Sequence, residues 1–169
     1  IGWVNIENTQ EADLLNAIAG ELGTKVRVAL RYNPEVAANT HPHIATGHSA
    51  AKFGLNADDV RHLLARRSAL PHLHIEGLHI HIGSQLHDTA GTAEAIRHAL
   101  ALIEGDSHFT TLNIGGGFPA AYSADETLPD PAEFAAAIQP LIASRGLRLL
   151  LEPGRALVAD AGLLLTQVL

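Results

Sequence analysis

Leu149-Leu150-Leu151-Glu152-Pro153-Gly154-Arg155 passes from an apolar run directly into a carboxylate, a Pro-Gly turn and a guanidinium. Such a run, stopped by turn residues, reads as a strand buried in a sheet, and its end presents polar groups where a soluble strand would normally enter a plain loop. Two further strand ends share this character, Leu112-Asn113-Ile114-Gly115-Gly116-Gly117 and Leu78-His79-Ile80-His81-Ile82-Gly83-Ser84-Gln85. Three strand ends that combine glycine with polar side chains point to a ligand site built along one edge of a sheet.

Working outward, short apolar strands alternate with helical patterns, the mark of βαβ units and a parallel sheet. Val4 to Glu7 reads as a strand, followed by a helix capped at Thr9 with Leu15, Ile18, Ala19 and Leu22 as its apolar stripe and Gly23 as its end. Lys25 to Tyr32 is the next strand. Residues 33 to 55 make a polar connection longer than compact domains usually carry, which marks a functional loop. Asn56 caps a helix to about Arg67, Ile75 to Ile82 is a strand, Ala93 to Glu104 a helix, and Thr111 to Ile114 a strand. Asp130-Pro131 with Glu133 starts a further helix that Pro140 should kink or shorten. Leu147 to Glu152 is the fifth strand, and the segment from Ala156 lacks a helix-start signal and is expected to leave for a new sheet. These βα steps fit an open doubly wound sheet or part of a (β/α)8 TIM barrel. A barrel takes about 250 residues, so this one would be partial.

The chain has 169 residues, 47% of them apolar, enough for a core. A net charge of -7 with 11 Lys and Arg argues against nucleic acid as a partner. No apolar run nears the roughly 20 residues of a membrane span, and no signal pattern opens the chain, so a cytoplasmic setting is expected. The absence of cysteine removes disulfides, thiolate chemistry and Cys-based zinc sites. The absence of methionine, and a sequence that ends within an apolar run, give the expectation of an interior segment of a longer protein.

A glycine turn groups backbone N–H donors around an anion, and Gly115-Gly116-Gly117 suits that role as well as that of a plain turn. Arg155 offers a fork that matches phosphate or carboxylate, or else pairs at the surface. Glu152 could pair with Arg155, or meet a protonated heterocycle nitrogen in a barrel mouth. His79 and His81 share a strand face, so a divalent-metal pair and a metal-dependent hydrolase stay open. The later strand ends, however, offer anion-binding rather than metal-ligating groups. His41, His43, His72 and His74 read as solvated loop or helix-surface residues.

Gly77-Leu78-His79-Ile80-His81-Ile82-Gly83-Ser84-Gln85, Asn113-Ile114-Gly115-Gly116-Gly117-Phe118 and Leu151-Glu152-Pro153-Gly154-Arg155 resemble, in order, the motifs of the alanine-racemase-type barrel decarboxylases that use pyridoxal 5'-phosphate. The resemblance extends to Arg27 through Pro34, Thr40-His41-Pro42, Thr46-Gly47 and Lys52-Phe53-Gly54. Thr40-His41-Pro42 and Gln85 look most like the branch that turns meso-2,6-diaminopimelate into L-lysine and carbon dioxide, with ornithine- and arginine-type decarboxylation as the alternative within the family. It implies that His81 stacks on the pyridine ring, that Ser84 hydrogen-bonds near the phosphate, and that Gly115, Gly116, Gly117 and Gly154 cradle the phosphate through backbone N–H groups. Glu152 would hold the pyridinium nitrogen. Arg155 would lie at the phosphate edge and bind the substrate carboxylate, and Arg31 would line the mouth. Lys52 would be a structural or dimer-contact residue, the full-length protein being a homodimer with a small amino acid as its other partner.

The sequence also departs from that family. Its lysines are Lys25 and Lys52, and neither stands in the motif that carries the family's Schiff-base lysine. That lysine would lie roughly 80 to 110 residues before Val4, given barrel units of about 30 residues. Residues 1-155 would be the central part of the barrel and 156-169 its exit toward a C-terminal β domain. The chain alone is then expected to be inactive, a non-catalytic truncated barrel, and oligomeric, molten or aggregating because open sheet edges attract partners.

Overall fold

The computed structural model describes residues 2–36, 53–163 and 165–167. Five parallel strands lie side by side in chain order, β1 (Val4–Ile6), β2 (Val26–Arg31), β3 (Leu73–His79), β4 (Thr111–Asn113) and β5 (Arg148–Leu150). Consecutive order without reversal is the arrangement of an arc of a (β/α)8 barrel, whereas a doubly wound sheet switches direction. Four helices connect the strands or lie between them: α1 (Thr9–Glu21), α2 (Ala57–Ala65), α3 (Ala90–Leu102) and α4 (Pro131–Ile142). A fifth, α5 (Gly154–Val158), follows β5.

Register explains where the core lies. Leu30 pairs with Ile6 and Leu78, Leu78 with Leu112, and Leu112 with Leu149, so one apolar row crosses the whole sheet. It packs with Ala12, Val60, Leu63, Ile96, Ala99, Phe134 and Ile138 from the helices. Because side chains alternate along a strand, the rows on either side share the opposite face. One of them is Ala29, Gly77 and Thr111, with Trp3 lying over Gly77; the other is Arg31, His79 and Asn113 at the carboxyl ends. A register shift between Val28 and Ala29 leaves Glu76 as an extra residue in β3, where it pairs with Arg27.

Local signals set most element starts. Asn56 Oδ1 accepts the Asp59 N–H at 2.8 Å, and Asp130 and Glu133 form a reciprocal capping box at the head of α4. The first helix is capped one residue earlier than the sequence predicts, by Asn8, which accepts the Glu11 N–H at 2.8 Å. Its buried side chains are Ala12 and Ala19; Ile18 and Leu22 are 43% and 73% exposed. Small residues let α1 sit close to the sheet; of the expected stripe, Ala19 and the partly buried Leu15 face the core, and Ile18 and Leu22 point outward.

Further corrections follow from tertiary packing. The third strand runs from Leu73 to His79, so His74 is a strand residue beside Glu76 rather than a loop residue, and His81 lies beyond the strand. Pro140 does not end its helix, which continues to Ile142. Proline costs about 3 kcal/mol inside a helix, and Phe134, Ile138, Leu141 and Ile142 pack into the core on both sides of it. The segment from Ala156 does not start as a strand: Gly154–Val158 is helical and Ala159–Ala161 forms a 3-10 turn. Of the long connection, residues 37–52 lie outside the described residues, and with them Thr40, His41, Pro42, His43, Thr46, Gly47 and Lys52. Its two ends are pinned together: the Asn33 N–H donates to Leu55 O at 2.8 Å and the Leu55 N–H to Arg31 O at 2.7 Å.

Candidate active site

The carboxyl ends of β2 to β5 bring most of the singled-out residues to one mouth. Arg31 pairs in register with His79 and His79 with Asn113, and all three follow the same side of the sheet. Arg31 forms an ion pair with Glu7 and lies over the Phe53 ring at 5.2 Å. Two residues beyond β5, Glu152 turns back: its N–H donates to Gly115 O at 2.8 Å, and its Oε1 accepts from Asn113 Nδ2 at 2.7 Å. The pairing of Glu152 with Arg155 weighed from sequence is replaced by this Asn113 contact. Arg155 donates instead to the Tyr122 hydroxyl at 2.6 Å and lies over that ring at 5.6 Å.

The triple glycine is forced by close approach. A Cβ at Gly115, whose φ is +68°, would stand 2.7 Å from His81 Nδ1; one at Gly116 would stand 2.4 Å from Glu152 O; one at Gly117, φ +96°, would stand 2.7 Å from Gly83 O. Three loops therefore meet with no room for side chains. The N–H groups do not all face outward, as the cradle expectation required. The Gly115 N–H donates to Asn113 Oδ1 at 2.9 Å, the Gly116 N–H to His81 Nδ1 at 3.3 Å, and the Gly154 N–H to Glu152 O at 2.9 Å. Ser84 sits in the same loop as Gly83, directly before Gln85.

His79 is 4% exposed, and among the described residues neither of its ring nitrogens finds a hydrogen-bond partner. The nearest carboxylate oxygen, Glu152 Oε1, is 3.7 Å from Nε2. Burial pushes its pKa down to about 4, with Arg31 and His81 acting in the same direction and Glu152 and Glu7 against. Burial, then Arg31, also lowers His81, against the pull of Glu152. Both imidazoles are thus neutral near pH 7, suited to packing or hydrogen bonding rather than to charge pairing. Among the described residues no group of three or more His, Asp or Glu side chains gathers as a metal site would. An orphaned buried imidazole, a half-exposed carboxylate held through one oxygen and a turn that excludes every Cβ fit a flat heterocycle carrying an anionic group.

Sequence reasoning gave Asn113 and Gln85 no role, and did not include Glu7 or Tyr122. Asn113 carried a usable signal, since it is a polar residue at the end of an apolar strand pattern, two positions before the first of the three glycines. A cavity of about 410 Å³ lined by Leu100, Ile103, Asp106, Phe109, Arg145 and Leu147 lies away from this mouth, at the opposite ends of the strands. No described helix is long and apolar enough to cross a membrane.

Comparison with known proteins gives this geometry a family. The chain is 42% identical over 169 residues to the diaminopimelate decarboxylase of Vibrio cholerae and 39% identical over 168 residues to that of Aquifex aeolicus, covering 97% of this chain in each case and 40% of each relative. It superposes with a TM-score of 0.86 and 31% identity on the crystal structure of diaminopimelate decarboxylase from Helicobacter pylori complexed with L-lysine, over 94% of this chain and 41% of that one. The chain thus spans about two fifths of the length of the proteins it matches. Residues 1–159 match the model of the pyridoxal-dependent decarboxylase family, pyridoxal binding domain, and the chain belongs to that family.

Proposed function

We propose that this chain is the pyridoxal-phosphate-binding barrel portion of a decarboxylase that converts meso-2,6-diaminopimelate to L-lysine and carbon dioxide. The observation that carries the reading is the Asn113–Glu152 contact, which fixes a carboxylate beside the glycine turn and the two neutral histidines. Relatives named for that reaction, at about two fifths identity over nearly the whole chain, support the substrate. Pyridoxal phosphate, when bound, supplies the electron sink for the bond between Cα and the carboxylate.

The residues divide the remaining work. Glu152, oriented by Asn113, holds the proton on the pyridine nitrogen. His81, uncharged, would face the ring, and the Gly116 N–H, which makes only a long 3.3 Å contact to its Nδ1, would serve the phosphate end. Gly115, Gly117, Gly154 and Ser84 shape the phosphate end. Arg155, steadied by Tyr122, meets the substrate carboxylate, and Arg31, tethered to Glu7, sets the charge of the mouth. Lys25 directly precedes β2, at the amino end of the strand and opposite the mouth, and so does not supply the lysine that attaches the cofactor. Residues 156–169 lead from the barrel toward a second domain of the full-length protein, which works as a homodimer in the cytoplasm.

The test supplies the full-length protein with meso-diaminopimelate, ornithine and arginine and measures release of carbon dioxide. Release from diaminopimelate is expected; faster release from ornithine would overturn the substrate. For the chain alone, borohydride treatment with pyridoxal phosphate should trap no stoichiometric lysine adduct.

A further inference from the structure

Gln85 follows Ser84 in the loop after β3 and has a φ of +57°, a left-handed conformation that non-glycine residues seldom hold. Its side chain is buried and reads the backbone of Ala120 in both directions: Nε2 donates to Ala120 O at 2.6 Å, and Oε1 accepts the Ala120 N–H at 3.2 Å. One residue on, the Leu86 N–H donates to Gly117 O at 3.0 Å. These three hydrogen bonds add to the contact of the Gly116 N–H with His81 Nδ1 in joining the loop after β3 to the loop after β4. Two residues beyond Ala120 stands Tyr122, whose hydroxyl holds Arg155 after β5. A strained backbone, a buried amide bonded through both its nitrogen and its oxygen, and a chain of contacts across three strand ends are more than loop closure needs.

We propose that Gln85 is the positioning residue of the phosphate end of the site. It sets the distance between Ser84 and the Gly115–Gly117 turn and, through Ala120 and Tyr122, the place of Arg155. The proposal rests on the pyridoxal-phosphate reading of the mouth. It separates recognition of the phosphate from recognition of the ring, because Glu152, Asn113 and His81 are held by contacts that do not involve Gln85.

The experiment compares pyridoxal 5'-phosphate with pyridoxal, which lacks the phosphate, as ligands of the full-length protein by absorbance titration. Gln85→Glu keeps the length but loses the donor to Ala120 O; Gln85→Asn keeps the amide and tolerates positive φ but falls a methylene short. Each variant should lose roughly tenfold in affinity for the phosphorylated ligand, with pyridoxal binding within about twofold of the parent. Equal weakening of both ligands, or unchanged preference for the phosphorylated one, would overturn the role. Should one variant fail to fold, the other decides. Failure of the parent protein to prefer pyridoxal phosphate over pyridoxal would instead overturn the cofactor reading itself.

Discussion

Asn113 bonds at both ends of its amide: Nδ2 donates to Glu152 Oε1 at 2.7 Å, and Oδ1 accepts the Gly115 N–H at 2.9 Å. One buried side chain thus ties the carboxylate after β5 to the glycine turn after β4. Asn113→Asp removes the donor and sets two carboxylates together, and Asn113→Ala leaves a buried N–H unpaired at a cost of about 1–3 kcal/mol. Both should weaken pyridoxal-phosphate binding by roughly tenfold or more. Absorbance titration of the full-length protein checks this, and unchanged binding would remove Asn113 from the site.

His79 gives the fold a pH dependence. In the folded chain it stays neutral down to about pH 4, whereas unfolded it takes its proton near 6.5. Between those values the unfolded state binds more protons, so stability falls as pH drops through that window, by about 1.4 kcal/mol per pH unit. His81 is shifted the same way. In His79→Gln, urea unfolding should show a shallower loss between pH 7 and pH 5, by roughly 2 kcal/mol. Identical slopes in the two proteins would contradict the buried neutral imidazole.

Gly77 lies beneath Trp3, so that an added Cβ would stand 2.1 Å from the indole Cζ2 and 3.1 Å from Ala29 Cβ. Gly77→Ala should therefore destabilise the fold by about 1–3 kcal/mol through overpacking. Adding Trp3→Leu should recover part of that loss, and a double-mutant cycle reads the coupling. Trp3 is the sole tryptophan, so its fluorescence reports the displacement directly in the single variant.

At the opposite end of the strands, Asp106 accepts from Arg67 at 2.8 Å and contacts His108 Nδ1 at 2.8 Å. Burial pushes its pKa upward, but the hydrogen bonds from Arg67 and His108 outweigh this and bring it down to about 2 from 3.8. Its contribution is present above pH 3.8 and is lost as pH falls toward 2. Asp106→Asn should cost about 1 kcal/mol at pH 7, allowing for solvent screening. The gap between variant and parent in chemical denaturation should narrow below that range; a gap constant with pH would point to packing alone.

The parts of the fold legible in the sequence are those fixed by neighbours along the chain. Asp130, Pro131 and Glu133 announce α4 because a capping box closes within one turn. Pro140 stands in the last turn of α4, which closes two residues later at Ile142, while Phe134 and Ile138 before it pack into the core. Ile18 and Leu22 misled because two faces of α1 carry apolar residues, and only the fit of Ala12 and Ala19 against the sheet decides which is buried.

The sequence by itself determined the alternation of strands and helices and the positions of the glycines at the strand ends, because helix caps, turn residues and apolar periodicity act over a few residues. It also placed His81 on one strand-end motif and Glu152 with Arg155 on another. Only the tertiary structure decided that Glu152 is held by Asn113 rather than Arg155, that His79 is buried and neutral, and that Gln85 grips Ala120. Those contacts join residues from different βα units, and they arise from the register of parallel strands and the close approach of their end loops, which no local pattern encodes.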